Sequence, residues 1–123
     1  MTPAARDPQM LKGILPVLVL ALLSEHESYG YELVTRLQDA GLEDIAAGTV
    51  YPVLTRLERE GHISSRLVAS PSGPARKYYL PTASGAAQLA QSANEWRELT
   101  RTVERVLGRV PPATNAPTTE EPA

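Results

Sequence analysis

Residues 47 to 61, Ala-Gly-Thr-Val-Tyr-Pro-Val-Leu-Thr-Arg-Leu-Glu-Arg-Glu-Gly, spell a short helix with two unlike faces, which limits what the chain can fold into. Val50, Leu54 and Leu57 recur at steps of four and three, so they share one stripe that must be buried. Thr49, Thr55, Arg56 and Arg59 fall off that stripe and offer hydroxyls and guanidinium groups to solvent. Gly61 stands where a helix end calls for left-handed backbone. Such a helix needs a core behind it and leaves its other face free for a partner. Short polar donors beside arginines suit the major groove of DNA.

The rest of the composition supplies that core and little chemistry. At 123 residues the chain is one domain with a single modest core. Phe is absent and aromatics make up 5%, so the core is aliphatic. The absence of Cys excludes disulfides, thiolate metal sites and a Cys nucleophile, and it is compatible with the cytoplasmic location expected of the chain. The formal net charge of -2 speaks against a nucleic-acid partner until it is divided along the chain. Residues 1 to 45 hold three basic against seven acidic side chains; residues 46 to 82 hold five basic against two acidic. The positive charge travels with the two-faced helix, and local field rather than net charge steers a polyanion.

The apolar run of residues 14 to 23, interrupted only by Pro16, imitates a signal-peptide core. Ser24-Glu25-His26-Glu27 follows it instead of a small-residue cleavage site, and the run is far short of the roughly 20 residues that span a bilayer. It reads as a buried first helix over residues 11 to 24 that either starts near Pro16 or kinks there. Ser28 is the expected N-cap of a second helix, residues 29 to 40, with Leu33, Val34 and Leu37 inward and Gly41 as its stop. The third helix covers residues 47 to 60, and its Pro52 has no N–H for the Gly48 carbonyl. Residues 63 to 68 and 76 to 80 read as the strands of a two-stranded hairpin, joined by a Ser/Pro/Gly turn. A last helix opens near residues 82 to 84 and ends at Pro111-Pro112.

That last helix carries Ala86, Leu89, Ala93, Trp96, Thr100, Val103, Leu107 and Val110 at alternating steps of three and four. This is the rhythm of helices that pack along their length. So small a domain has little to set against it, and a second subunit is the economical partner. Arg97, Arg101, Arg105 and Arg109 form a basic row on another face, read as solvated and paired with Glu98 and Glu104.

Lys12-Gly13, Ser28-Tyr29-Gly30-Tyr31-Glu32-Leu33, Gly48-Thr49-Val50-Tyr51-Pro52-Val53-Leu54, Arg56-Leu57-Glu58, Glu60-Gly61 and Gly73-Pro74-Ala75-Arg76-Lys77-Tyr78-Tyr79 resemble the PadR family of bacterial transcriptional regulators over roughly residues 10 to 108. The resemblance implies a mostly α fold with a small β-hairpin: a winged helix-turn-helix plus a long C-terminal dimerisation helix. The implied parts are a flexible arm at residues 1–9, a DNA-binding domain at 10–82, the dimerisation helix at 83–110 and a disordered tail at 111–123. It further implies a homodimer that binds double-stranded DNA at a pseudo-palindromic operator, usually as a repressor, and that is released by a small, often aromatic ligand. Ala46 stands where the family often has a capping Ser, and Leu80-Pro81-Thr82 departs from the family's usual end of the wing.

On this reading the DNA-contacting residues are Thr49, Tyr51, Pro52, Thr55, Arg56, Arg59, Arg76, Lys77 and Tyr29. Arg76 and Lys77 are adjacent on a strand and point to opposite sides, so one is expected to reach DNA while the other supports the wing. Tyr31 is read as a core anchor, and one of Tyr78 and Tyr79 must also face the core. The dimerisation set is Leu89, Trp96, Val103, Leu107 and Val110. Trp96, flanked on its stripe by Ala93 and Thr100, packs the dimer seam, lines an effector cavity there, or both. No catalytic, metal or cofactor role is assigned: His26 and His62 lack a matched carboxylate or Ser motif, and no phosphate-binding glycine loop exists. The alternative from another class is a winged-helix protein-interaction module that has lost DNA binding.

Overall fold

The computed structural model describes residues 8–113, and the chain divides into two compact units, one ending at Ala93 and the other beginning at Asn94. The element order is α1 (Pro8–Glu25), β1 (Ser28–Tyr29), α2 (Gly30–Asp39), α3 (Ala47–Arg59), β2 (Ile63–Ser70), β3 (Gly73–Pro81) and α4 (Ala83–Leu107). The fold is mostly helical with one small antiparallel sheet in the order β1-β3-β2. No helix among the described residues is long and apolar enough to cross a membrane.

The helices of the first unit converge on an aliphatic core. Leu15, Val19 and Leu23 lie at steps of four on α1, with Leu20 beside them, and all are at most 2% exposed. α2 adds Leu33, Val34 and Leu37, α3 adds Val50, Leu54 and Leu57, and Ile63 and Tyr79 close the core from the sheet. Burying each such side chain contributes about 1.5–3 kcal/mol, which overrides the weak helix propensity of the valines. α1 begins well before Pro16 and continues through it, so the expected late start does not occur. It begins at Pro8, placing the last two residues of the expected arm in its first turn. The rest of that arm, and the tail beyond residue 113, lie outside the described residues.

Both helices of the helix-turn-helix end alike. Gly61 takes φ +82°, its N–H donates to the Glu58 carbonyl, and the His62 N–H donates to that of Leu57. Gly41 at φ +127° repeats the pattern with Gln38 and Leu37. This double hydrogen bond satisfies the last carbonyls and requires a residue at ease in left-handed backbone.

Ser28 caps nothing. It is fully buried in β1, which pairs with β3 through Ser28↔Tyr79 and Tyr29↔Tyr78, so the sheet has three strands rather than the expected two. Its hydroxyl accepts from Arg36 Nη1 at 2.8 Å, and the same guanidinium donates to the Leu22 carbonyl (2.8 Å), the His26 carbonyl (3.2 Å) and Glu25 Oε1 (3.0 Å). Arg36 thereby binds the end of α1 to α2. The hairpin is longer than expected, its strands reaching Ser70 and Gly73 with only two residues between them.

α4 is capped by Thr82, whose Oγ1 accepts from the Gly85 N–H at 3.1 Å and donates to the Gly61 carbonyl at 2.6 Å. It stops at Leu107, three residues before the expected end, and turns follow to Val110. Leu89 packs on the core of the first unit. In the second unit, Trp96 is partly buried, while Leu99, Val103, Val106, Leu107 and Val110 are all exposed. Arg97, Arg101, Arg105 and Arg109 are exposed, and the expected pairing with Glu98 and Glu104 is not seen among the described ion pairs.

Candidate nucleic-acid interface

α3 has the two faces its sequence requires. Val50, Leu54 and Leu57 are at most 4% exposed, whereas Thr49, Tyr51, Pro52, Thr55, Arg56 and Arg59 are all open to solvent. The helix begins after Ala46, which offers no side-chain cap; Thr49 and Val50 N–H groups both donate to the Ala46 carbonyl. Pro52 lies inside the helix and on the exposed face, so its ring meets solvent rather than the core.

Tyr51 is 43% exposed because only part of its ring is covered. A Cβ built on Gly30 would lie 2.6 Å from both Cζ and the hydroxyl of Tyr51. The absence of a side chain at Gly30 is what lets the first turn of α2 support that ring. Tyr31 is not a core anchor: it is 65% exposed. The buried face of α2 is Gly30, Leu33, Val34 and Leu37, and Tyr31 falls about 100° round the helix from Gly30.

The hairpin sorts its side chains by strand alternation. On one face Tyr29 and Tyr78 meet edge to face with centroids 5.3 Å apart, and the Arg76 guanidinium sits 4.5 Å from the centre of the Tyr29 ring. Arg66 shares that face and pairs with Glu27, with Nε to Oε1 at 3.1 Å. On the other face Tyr79 is buried and Lys77 Nζ is 5.5 Å from its ring centroid. Lys77 Nζ also donates to Glu58 Oε1 at 2.9 Å. Burial pushes the Tyr79 phenol up, with the Lys77 charge opposing it.

Positive charge is therefore unequally available. Arg56 pairs with Glu60 one helical turn away, an exposed pair within one helix of the kind worth about 0–1 kcal/mol. Arg59 has no ion pair among the described residues, and Arg76 is held by a ring rather than by a carboxylate. Lys77 and Arg66 are each neutralised by a carboxylate. The structure thus brings together Thr49, Tyr51, Pro52, Thr55, Arg56 and Arg59 on α3, and Tyr29 with Arg76 on the sheet. Three participants escaped the sequence reading. Gly30 under Tyr51 and the Glu58–Ser65 pair depend on contacts between elements, and only the Ser-Tyr-Gly-Tyr run hinted at the first. No group of three His, Cys, Asp or Glu suited to a metal ion occurs among the described residues.

The sequence profile of the PadR-like family of transcriptional regulators matches residues 19–91. A PadR-like transcriptional regulator of Bacillus cereus is 41% identical, with a TM-score of 0.73 over 80% of this chain and 96% of that one. A PadR family regulator of Eggerthella lenta is 37% identical at a TM-score of 0.73, covering 80% of this chain and 86% of its own. An uncharacterised protein of Lysinibacillus sphaericus is 30% identical across 77% of this chain and 89% of that protein. The family match and the winged helix-turn-helix geometry together show that the chain belongs to the PadR-like family and is a DNA-binding transcriptional regulator, not an enzyme.

Proposed function

We propose that the protein is a dimeric repressor that places α3 in the major groove of each half of a pseudo-palindromic operator and is released by a small aromatic ligand. The exposed face of α3 carries this reading, with six polar, aromatic or proline side chains set opposite three buried aliphatic ones. Thr49 and Thr55 are short enough to admit base edges or phosphates, and Tyr51 and Pro52 shape the approach. Arg56 and Arg59 neutralise phosphates. Arg76, braced on Tyr29, extends the contact to the wing. Each phosphate engaged by a cation steepens the salt dependence of binding.

The exposed apolar residues of α4 and of the turn beyond it, Val103, Leu107 and Val110 from the predicted stripe with Leu99 and Val106 beside them, support association with a second copy. Trp96 belongs to that seam, between Ala93 and Thr100, and is the ring that would stack a planar ligand. Leu89 contributes less than the sequence suggested, because the domain's own core already covers part of it.

A mobility-shift titration against the DNA upstream of its own gene, with sedimentation to fix the oligomer, tests the reading. Salt-sensitive retardation by a dimer is the expected result. A folded dimer that retards nothing, and that recovers no site in genome-wide selection, sinks it and leaves the protein-interaction module. Quenching of Trp96 fluorescence by an aromatic panel, abolished in a Trp96→Leu variant, tests the ligand.

A further inference from the structure

Beyond the apolar core, a polar cluster joins α3 to the wing. Glu58, on α3, accepts from Lys77 Nζ on β3 through Oε1 at 2.9 Å and from Ser65 Oγ on β2 through Oε2 at 2.6 Å. One carboxylate therefore holds both strands of the hairpin. The other ion pairs among the described residues do different work. Arg36–Glu25 joins α2 to α1, Arg56–Glu60 stays within one helix, and Arg66–Glu27 ties β2 to the segment before β1.

We propose that Glu58, Ser65 and Lys77 form a latch that fixes the wing against the recognition helix, making Lys77 a positioning residue for DNA binding and not a phosphate contact. The proposal rests on the reading of α3 and the hairpin as the DNA-binding surface. To reach a phosphate, Lys77 must leave Glu58 and expose an uncompensated carboxylate beside a polyanion, so that the gain of one attraction is offset by a repulsion. Held in place, the ammonium cancels that carboxylate and orients both strands. The hydrogen bond from Ser65, followed by that from Lys77, holds the Glu58 carboxyl below its usual range, and Glu58 in turn holds the Lys77 ammonium above its own. Arg76, next along the strand, is left on the opposite face with Tyr29.

The test uses the full chain carrying Glu58→Gln, Lys77→Met, both together, or Ser65→Ala. Each is titrated against an operator fragment recovered by genomic selection at several salt concentrations, and amide hydrogen exchange is read on the DNA-free proteins. The latch predicts a loss of about two- to fivefold in affinity for each of the first two variants. It predicts no further loss in the double variant, and an unchanged slope of log affinity on log salt. In the free protein, wing amides around Ser65 and Lys77 exchange faster in all four variants. The proposal is overturned if Lys77→Met alone lowers the salt slope by about 0.9, the signature of one lost phosphate contact. Unchanged affinity or tighter binding in Glu58→Gln, or unchanged wing exchange, overturns it too. Should the wild-type chain bind no DNA, the functional reading fails by itself, and the exchange measurement still decides whether the latch exists.

Discussion

Replacing Gly85 with Ala separates helix propensity from packing, because the two predict opposite signs. Gly85 is the third residue of α4, and Ala there would favour the helix by about 0.8–1 kcal/mol on propensity alone. The structure says otherwise. A Cβ on Gly85 falls 2.9 Å from the His62 carbonyl carbon and closer still to its oxygen, well inside ordinary contact at 3.4–4 Å. The obstacle is backbone and cannot swing aside. That same oxygen accepts the Thr82 N–H at 3.0 Å, so opening the contact strains the cap of α4 as well. Overpacking costs about 1–3 kcal/mol and a lost hydrogen bond about 0.5–1.5 kcal/mol. Subtracting the propensity gain leaves a net destabilisation of about 1–3 kcal/mol, or a melting temperature lower by about 5–20 °C. Thermal and urea unfolding followed by circular dichroism measure it. Gly48→Ala is the control, since Gly48 is exposed on α3 with nothing within 4 Å of the added Cβ, and it should be neutral or stabilising by up to about 1 kcal/mol. A Gly85→Ala protein as stable as the wild type, or more so, would refute the reasoning.

Gly30→Ala should displace the Tyr51 ring, a movable side chain, and so weaken operator binding several-fold while changing stability by less than about 1 kcal/mol; parallel melting and mobility-shift curves separate the two effects. Arg36→Met leaves the buried Ser28 hydroxyl without its Arg36 donor and the Leu22 carbonyl with only the long His26 N–H contact, and should cost about 2–4 kcal/mol in urea unfolding, with Arg36→Lys recovering only part because an ammonium cannot span four acceptors. The lowered folded-state pKa of Glu58 contributes stability that is present above the ordinary carboxylate range and is lost as pH falls through the folded value. Stability measured from neutral pH down into that range should therefore fall less steeply in Glu58→Gln than in the wild type.

What the sequence made legible were features fixed by nearest neighbours along the chain. The stripe of Val50, Leu54 and Leu57 and the alternation that sets Tyr78 and Tyr79 on opposite sides need only helix or strand periodicity, and the stop at Gly61 needs only a residue at ease in left-handed backbone, whereas the choice of Tyr79 as the buried ring is made by the packing. The weak start at Ala46 was equally plain, since Ala has no side-chain acceptor. What escaped depends on partners far away in sequence. Ser28 has the composition of a cap, but its surroundings are set by Tyr79 and Arg36, and burial in a strand outweighs capping. Tyr31 is expected as a core anchor, yet it lies about 100° round α2 from Gly30 and off the face that buries Leu33, Val34 and Leu37. Strand alternation sets one of Arg76 and Lys77 towards DNA and the other towards the wing, and the geometry adds that Glu58 holds Lys77. Gly85 carries no local signal, as its constraint is a carbonyl more than twenty residues earlier in the chain.

The two-residue strand β1 has a further consequence, one of timing. Its hydrogen-bonding partners on β3, Tyr78 and Tyr79, are made about fifty residues after Ser28 and Tyr29, although α1 and α2 flank β1 directly. Closing so long a loop is entropically slow, and nothing within the first two helices can stand in for that pairing. On a growing chain the three helices of the reading head would be complete while the seam between the first two still lacked its cover. The last strand of the wing then serves as a completion signal: a chain cut short before Tyr78 would keep its recognition helix yet leave the Ser28–Tyr29 edge open to pairing with another chain.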